Sequence, residues 1–274
     1  MISCPICNNT VLDHLFTIDK WYILRCYKCT SQFVHPMPSD SEIKEYYSRY
    51  YSGNDTHLKD LLNPKYGRLS FPRQWGIIER LVKKRDGNIL DFGCGGGHFL
   101  DRVSKNWQRY GVDLSDEARA ISLQKNIFTY NTIEPYQHWG EYFDVITMFA
   151  TIEHLPRPSE TVEQLSKLLK VGGIMVVMTG DVDSLWAYYK KHYWAMYAPP
   201  GHLHFFTAQS LDYLMESSGF KKIKHIYTDG GMITLPTKPL NYSFRALLET
   251  WHRIPKVKEL PIFDTYYGYY KKWR

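Results

Sequence analysis

Cys4-Pro-Ile-Cys7 and Cys26-Tyr-Lys-Cys29 hold four of the chain's five cysteines, in two pairs separated by eighteen residues. Two thiolates two residues apart can reach one ion from a single tight turn, and two such turns fill a tetrahedral site. The spacing reads as Zn2+, and as structural zinc, because four sulfur ligands leave no position for water or substrate. A segment of about thirty residues buries too little surface to fold alone, so the ion would supply on the order of 10 kcal/mol of folding energy. The residues between the pairs alternate like a short hairpin, which is how a zinc ribbon is built. Cys94 stands apart, inside a glycine loop with no basic neighbour in sequence, and reads as a small filler.

That loop, in "ILDFGCGGGHFL", is the second stretch with chemistry in it. Gly93, Gly95, Gly96 and Gly97 fall within five residues, after an apolar run that reads as a strand. Bare backbone there permits positive φ and close approach to a ligand. In α/β sheets ligands sit at the carboxyl ends of the strands. Two ligand classes fit: dinucleotides and S-adenosylmethionine. The dinucleotide fingerprint G-x-G-x-x-G requires glycine where this chain has His98. Asp91, two residues before the loop, would face a pyrophosphate unfavourably but suits a ligand carrying an ammonium group. Asp113, in "YGVDLS", lies 20 residues past Gly93, the usual distance for a carboxylate that accepts from both ribose hydroxyls. Such charge-assisted bonds contribute about 1.5–3 kcal/mol each. NAD offers ribose hydroxyls as well; Asp91 and the missing glycine favour the methyl donor.

Methyl transfer from a sulfonium is an in-line displacement, and alignment of donor and acceptor supplies much of its rate. A hydroxyl acceptor also gains from a general base, by about 10²–10⁴. Histidine is suited to that role at neutral pH. His154, in "IEHLPRP", follows the fourth strand at the ligand end; it reads equally as a base or, with Glu153, as a loop-holding residue. His202 and His204, in "PPGHLHFF", alternate and so face opposite sides of an extended segment. His202 is taken as the one in the cleft. His98 reads as a local polar contact.

Strand and helix signals alternate to position these groups. A capping-box pattern at Ser39 and Glu42 starts a short helix, and "FPRQWGIIERLVKKRDG" continues as another. Then come the strand "NILDF", the helix "HFLDRVSKNW", the strand "RYGVDL" and a helix capped by Ser115. "NIFTY", "YFDVITMFA" and "GGIMVVMTG" read as further strands, with the helix "SETVEQLSKLLK" before the last. "TAQSLDYLMESSGF" is a helix ending at Gly219 and "KKIKHIYTDG" a strand; "FRALLETWHRI" looks helical and "FDTYYGYYKKWR" is a candidate final strand. The alternation implies an α/β fold, a doubly wound, mostly parallel sheet.

"ILDFGCGGGHFL", "YGVDLS", "FDVITMFATIEHLPRP" and "LLKVGGIMVVMTGD", in this order, resemble the class I S-adenosylmethionine-dependent methyltransferases over about Phe71 to Thr228. With the cysteine pairs and "PPGHLHFFTAQSL", the chain is similar to the bacterial subgroup with an N-terminal zinc ribbon, often tied to surface-polysaccharide or other secondary biosynthesis. The resemblance implies a seven-stranded Rossmann-like sheet. The chain reads as three parts: a zinc ribbon at 1–36, a helical linker at 37–70, and a methyltransferase domain at 71–274 with a lid at about 183–204. It also implies that Asp91, Gly93, Gly95 and Gly97 surround the methionine moiety and that Asp113 holds the ribose. Leu114 would flank the adenine, and Met148 and Phe149 would line the cofactor cleft. The family often places an acidic residue after the third strand to meet the adenine amine; this chain reads "FTYNTIEPY", so Asn131 or Thr132 would substitute.

The 274 residues suffice for one large domain, or a large and a small one. No apolar run approaches the ~18–20 residues of a membrane span, and "MISCPICNNT" lacks signal-peptide layout, so a cytoplasmic location is expected. The net charge of +6 permits a polyanionic partner without demanding one. The lid segment "DSLWAYYKKHYWAMYAPPGH" mixes aromatics suited to sugar faces with Lys190 and Lys191, suited to a phosphate; a packed amphipathic helix explains it equally. The leading expectation is O-methylation of a small molecule or saccharide, such as a nucleotide-linked or lipid-linked sugar. An RNA methyltransferase is the runner-up, weakened by scattered Lys and Arg and by "ATIEHLP" where a base-methylating motif would stand. A non-catalytic protein whose ribbon docks a partner is the third reading.

Overall fold

The computed structural model describes residues 2–43, 45–46, 70–228, 260–261 and 263–274. Three antiparallel strands come first: β1 (Leu12–Ile18), β2 (Trp21–Cys26) and β3 (Gln32–His35). Then follow α1 (Ser70–Val82), β4 (Gly87–Phe92), β5 (Trp107–Val112), α2 (Asp116–Gln124), β6 (Phe128–Tyr130), β7 (Phe143–Phe149), α3 (Pro158–Leu168) and β8 (Leu169–Gly180). The chain closes with α4 (Leu185–Lys190), β9 (His204–Phe205), α5 (Ala208–Ser217), β10 (Phe220–Thr228) and β11 (Thr265–Lys272).

The large sheet has seven strands in the order β10-β11-β8-β7-β4-β5-β6. Pairings β8–β7, β7–β4, β4–β5 and β5–β6 are parallel; β11 runs antiparallel between β8 and β10. This is the doubly wound, Rossmann-like sheet that the alternation predicts. Its central strands β4, β7 and β8 carry near-continuous apolar runs because helices cover both faces. Ile89, Leu90, Val145, Ile146, Met148, Met175 and Val176 have no exposed surface. The candidate final strand is β11, and its Lys272 is buried but satisfied: Nζ donates to Ser166 O (2.9 Å), Leu169 O (2.8 Å) and Glu141 (2.9 Å).

The helix starts follow capping chemistry. Ser115 Oγ accepts from Ala118 N (3.1 Å) ahead of α2, and Thr207 with Ser210 forms a reciprocal capping box ahead of α5. Ser39 and Glu42 cap each other as expected: Ser39 N donates to Glu42 (2.9 Å) and Glu42 N to Ser39 Oγ (3.3 Å). One expected helix is absent. "HFLDRVSKNW" forms a single 3-10 turn, Leu100–Arg102, after which Val103 is extended. Ser104 and Asn106 favour turns over helix, Ser104 Oγ accepts from Trp75 Nε1 (3.0 Å), and the chain must reach β5 by Trp107. "FRALLETWHRI" and most of the helical linker expected at 37–70, namely 44 and 47–69, lie outside the described residues.

The ribbon strands do not end their own sheet. β9, some 170 residues later, pairs antiparallel with β3 through Gln32–Phe205 and Phe33–His204, giving the order β1-β2-β3-β9. The junction has its own apolar cluster: Ile23 and Val34 from the ribbon with Val182, Ala187, Trp194, Met196, Leu203 and Phe205 from the segment after β8. Tyr197 OH donates to Gln32 (2.6 Å), Ser159 Oγ to Pro5 O (3.2 Å), and the Thr30 and Thr207 hydroxyls meet at 2.7 Å. Among the described residues no helix is long and apolar enough to cross a membrane.

Candidate active site

The glycine loop leaves β4 at the carboxyl edge of the sheet. Gly93, Gly95 and Gly97 have φ of 83°, 49° and 68°, a region open to glycine without strain. A Cβ on Gly93 would also collide with the Thr151 side chain, and one on Gly97 with Ile127 and Ser122. Cys94 packs over Gly111 in the interior, the filler role expected of it. The loop is held from β5: Gly93 N and Cys94 N both donate to Val112 O, at 2.8 and 3.0 Å.

Asp113 stands beside the loop. Its Oδ2 accepts from Gly95 N (2.7 Å) and its Oδ1 from Ser115 N (3.0 Å). Each carboxylate oxygen has a second lone pair for a ligand hydroxyl. Leu114, next to it, is exposed. Asp91 is buried at the end of β4, and Thr147, its register partner on β7, donates to its Oδ1 at 2.6 Å. Burial raises the Asp91 pKa to about 7; the Thr147 hydrogen bond works against that and the Asp113 charge adds to it. A buried carboxyl poised near neutrality is a fitting seat for a cationic group, which would restore its ionised form. Bare glycine backbone, a buried acid and a second acid with spare lone pairs are the donor set that an amino-acid-bearing nucleoside needs.

Met148 departs from expectation. It points into the core with no exposed surface, because β7 alternates and its neighbour Phe149 takes the other face. Met148 packs in the core with Ile146, Ile152 and Met175. Phe149 is half-buried against Phe99, Phe71 and Tyr267. Asn131 is exposed and Thr132 half-buried after β6.

Thr151 connects the loop to the histidines. Its side chain abuts Gly93, and its carbonyl accepts from His154 N (3.0 Å) in the 3-10 turn Ile152–His154. His154 and His202 come together across 47 residues of sequence, with ring centroids 4.6 Å apart and planes at 74°. Each ring is tied to a backbone carbonyl: His154 Nδ1 to Gly201 O (2.7 Å) and His202 Nδ1 to Met196 O (2.7 Å). A carbonyl only accepts, so Nδ1 carries the proton and Nε2 is the basic nitrogen of the neutral ring. Burial lowers the His154 pKa, opposed by the Gly201 hydrogen bond. His204 faces the other way, as alternation requires. It is buried at the ribbon junction, and burial brings its pKa down to about 4.

Sequence reasoning missed three contributors. Glu153, buried beside His154, read only as a loop-holding residue. Thr147 reaches Asp91 through strand register, and Tyr46 packs against Gly201 from the far end of the chain. Neither contact has a signal in local spacing.

The four cysteines form one cluster. Cys4–Cys29 and Cys7–Cys26 Sγ atoms lie 3.5 Å apart, and all four sulfurs fall within 4.8 Å of one another. Tetrahedral zinc with 2.3 Å bonds sets its sulfurs about 3.8 Å apart. The two knuckles match: Asn8 N donates to Cys4 O (2.9 Å) and Thr30 N to Cys26 O (3.0 Å), with Asn8 and Thr30 both in the left-handed region. The cluster thus fits a closed metal site.

A family model described as a methyltransferase domain matches residues 71–225, more than half of the chain. The chain belongs to that family. The matched methyltransferase domain runs from α1 into β10 and contains the glycine loop, both acids and both histidines; the cysteine cluster and β11 lie outside it. Among curated proteins, the chain is similar to ubiquinone biosynthesis O-methyltransferases. With that of Shewanella halifaxensis it is 33% identical over 101 residues, 33% of this chain and 42% of the relative. With that of Aromatoleum aromaticum it is 34% identical over 112 residues, 37% of this chain and 47% of the relative. The chain thus spans less than half the length of these relatives. The solved structure of Burkholderia thailandensis 1,6-didemethyltoxoflavin-N1-methyltransferase, with bound 1,6-didemethyltoxoflavin and S-adenosylhomocysteine, shares the fold. Its TM-score is 0.56 at 13% identity, covering 96% of this chain and 100% of that one.

Proposed function

We propose that the protein is an S-adenosylmethionine-dependent O-methyltransferase acting on a small-molecule or saccharide hydroxyl. Its ribbon carries a structural zinc on Cys4, Cys7, Cys26 and Cys29. The observation that carries the reading is the pairing of His154 and His202 one turn from the glycine loop. The donor's amino acid lies along Gly93, Gly95 and Gly97 with its ammonium near Asp91, and its ribose lies on Asp113. Leu114 and Phe149 flank the donor. The residues at 183–204 act as the lid, and their exposed Tyr188, Tyr189 and Tyr193 suit a ring-shaped acceptor. Lys190 and Lys191 beside them suit a phosphate on it. His154 and His202 activate the acceptor hydroxyl, whose oxygen attacks the sulfonium methyl in line.

The test is a screen of phenolic and sugar hydroxyl acceptors with methyl-labelled donor. His154→Ala and His202→Ala are each expected to lower kcat by about 10²-fold or more, with S-adenosylhomocysteine affinity kept within about threefold. Unchanged kcat in both variants would move activation elsewhere.

Donor binding should also follow pH. The Asp91 carboxyl is raised to about 7, and a cation prefers its ionised form. Affinity for S-adenosylhomocysteine should therefore be level above that pH and fall about tenfold per unit below it. Calorimetric titrations across the range check this; an affinity that stays level well below neutrality would remove Asp91 from the ligand.

A further inference from the structure

We propose that Glu153, His154 and His202 form a second metal site, for a divalent first-row transition cation, at the acceptor end of the cleft. One ligand atom from each residue lies within 4.8 Å of the other two. Small side-chain rotations would bring them to the roughly 2.0–2.2 Å that nitrogen and carboxylate ligands adopt. Both imidazoles are already held as metal ligands usually are. Each Nδ1–H is fixed on a backbone carbonyl, Gly201 O and Met196 O, which orients the ring and leaves Nε2 as the ligating nitrogen.

Glu153 supplies an independent observation. Its side chain is 1% exposed, and its Oε2 has no hydrogen-bond partner among the described residues. The carboxylate leans on the Thr179 hydroxyl and the charge of His202, and a cation would satisfy the buried oxygen more fully. The cavity that Glu153 borders, with Ala150, Met178 and Thr179, is about 10 Å³, room for a water and no more. An acceptor cannot satisfy the oxygen from that side. The backbone holds the set together as well: Leu203 N donates to Glu153 O at 2.8 Å, fastening the residue after His202 to the turn that carries the other two ligands.

The donor set selects the ion. Two imidazoles and one carboxylate suit zinc, manganese, iron or cobalt better than magnesium or calcium, which prefer all-oxygen shells. Three protein ligands leave a position open, in contrast to the closed cysteine cluster. His202 belongs to the lid and the other two ligands to the turn after β7, so the ion would join the two. The site also specifies how the proposed O-methylation is activated, and in that part it rests on the reading above. A hydroxyl beside the cation has a lowered pKa and loses its proton to solvent. The oxygen lone pair then forms the O–CH3 bond as the S–CH3 bond breaks, and its electron pair stays on sulfur, leaving neutral S-adenosylhomocysteine.

The test uses the full chain with its ribbon zinc in place, titrated with Co2+ and read by metal analysis and visible absorption. The expected result is one Co2+ per chain beyond the zinc, with weak ligand-field bands and no sulfur-to-cobalt charge transfer. Glu153→Gln and His202→Ala should each weaken that binding at least about tenfold. S-adenosylhomocysteine affinity serves as the folding control. No cobalt beyond the zinc, or cobalt that both variants retain, overturns the site; a plain Glu153–His202 ion pair would give the first result. If cobalt binds as expected and no hydroxyl acceptor turns over, the site stands and the O-methylation reading falls. If hydroxyls turn over in a chain that takes no second metal, the reverse holds.

Discussion

With the four-cysteine cluster holding the proposed zinc, stripping that ion, or replacing Cys26 by serine, should unfold the ribbon and release the proposed lid with it. The ion would account for on the order of 10 kcal/mol in a segment of this size. Loss would not stop at residue 36. β9 pairs with β3, and Trp194, Met196, Leu203 and Phe205 share a buried cluster with Ile23 and Val34. Once β3 goes, that part of the lid loses its cover, and His202 loses its place. The hydrogen bonds that hold the glycine loop and Asp113 come from Val112 at the end of β5, from within the loop and from Ser115 before α2, not from the ribbon. The expected pattern is therefore split. Hydrogen-exchange protection at 194–206 collapses and acceptor kcat/KM falls at least about 100-fold, while S-adenosylhomocysteine affinity changes little. That fall corresponds to about 2.7 kcal/mol in transition-state stabilisation. Protection at 194–206 that survives chelation would show that the lid stands without the ribbon.

The second large effect is expected at Asp113. Its carboxylate holds Gly95 N and Ser115 N and, in the proposed complex, two ribose hydroxyls. Charge-assisted bonds contribute about 1.5–3 kcal/mol each, so Asp113→Ala should weaken S-adenosylhomocysteine at least about 100-fold. Asp113→Asn keeps the shape and one acceptor oxygen and should lose less. Calorimetry on both variants, with thermal melts as the folding control, separates ligand contact from loop collapse. A dissociation constant within about fivefold of the parent in Asp113→Ala would place the ribose elsewhere.

These two sites were legible in the chain for the same reason: each is built from residues close in sequence. A Cys-x-x-Cys knuckle closes through a backbone bond four residues long, and the glycine loop needs positive φ that only its own residue types supply cheaply. The order of strands and helices was legible as well, because two-fold and 3.6-fold periodicities are local properties. The misread helix at 98–107 marks the limit of that information, since the demand to enter β5 at Trp107 outweighed a helical pattern.

Tertiary structure decided everything that depends on register between distant strands. Asp91 meets Thr147 because β4 and β7 pair in that frame, and a shift of one residue would turn both away. Met148 went inward by the same alternation. The sequence showed that His202 and His204 face opposite ways; the pairing of Phe33 with His204 decided which of them entered the core. That choice brought His202 to His154 and Glu153. The amino-acid sequence by itself determined the cysteine cluster, the glycine loop and the α/β class. Only the folded chain joined the ribbon to the lid and assembled the histidine–glutamate cluster, because those contacts span tens to nearly two hundred residues and no local energy term selects them.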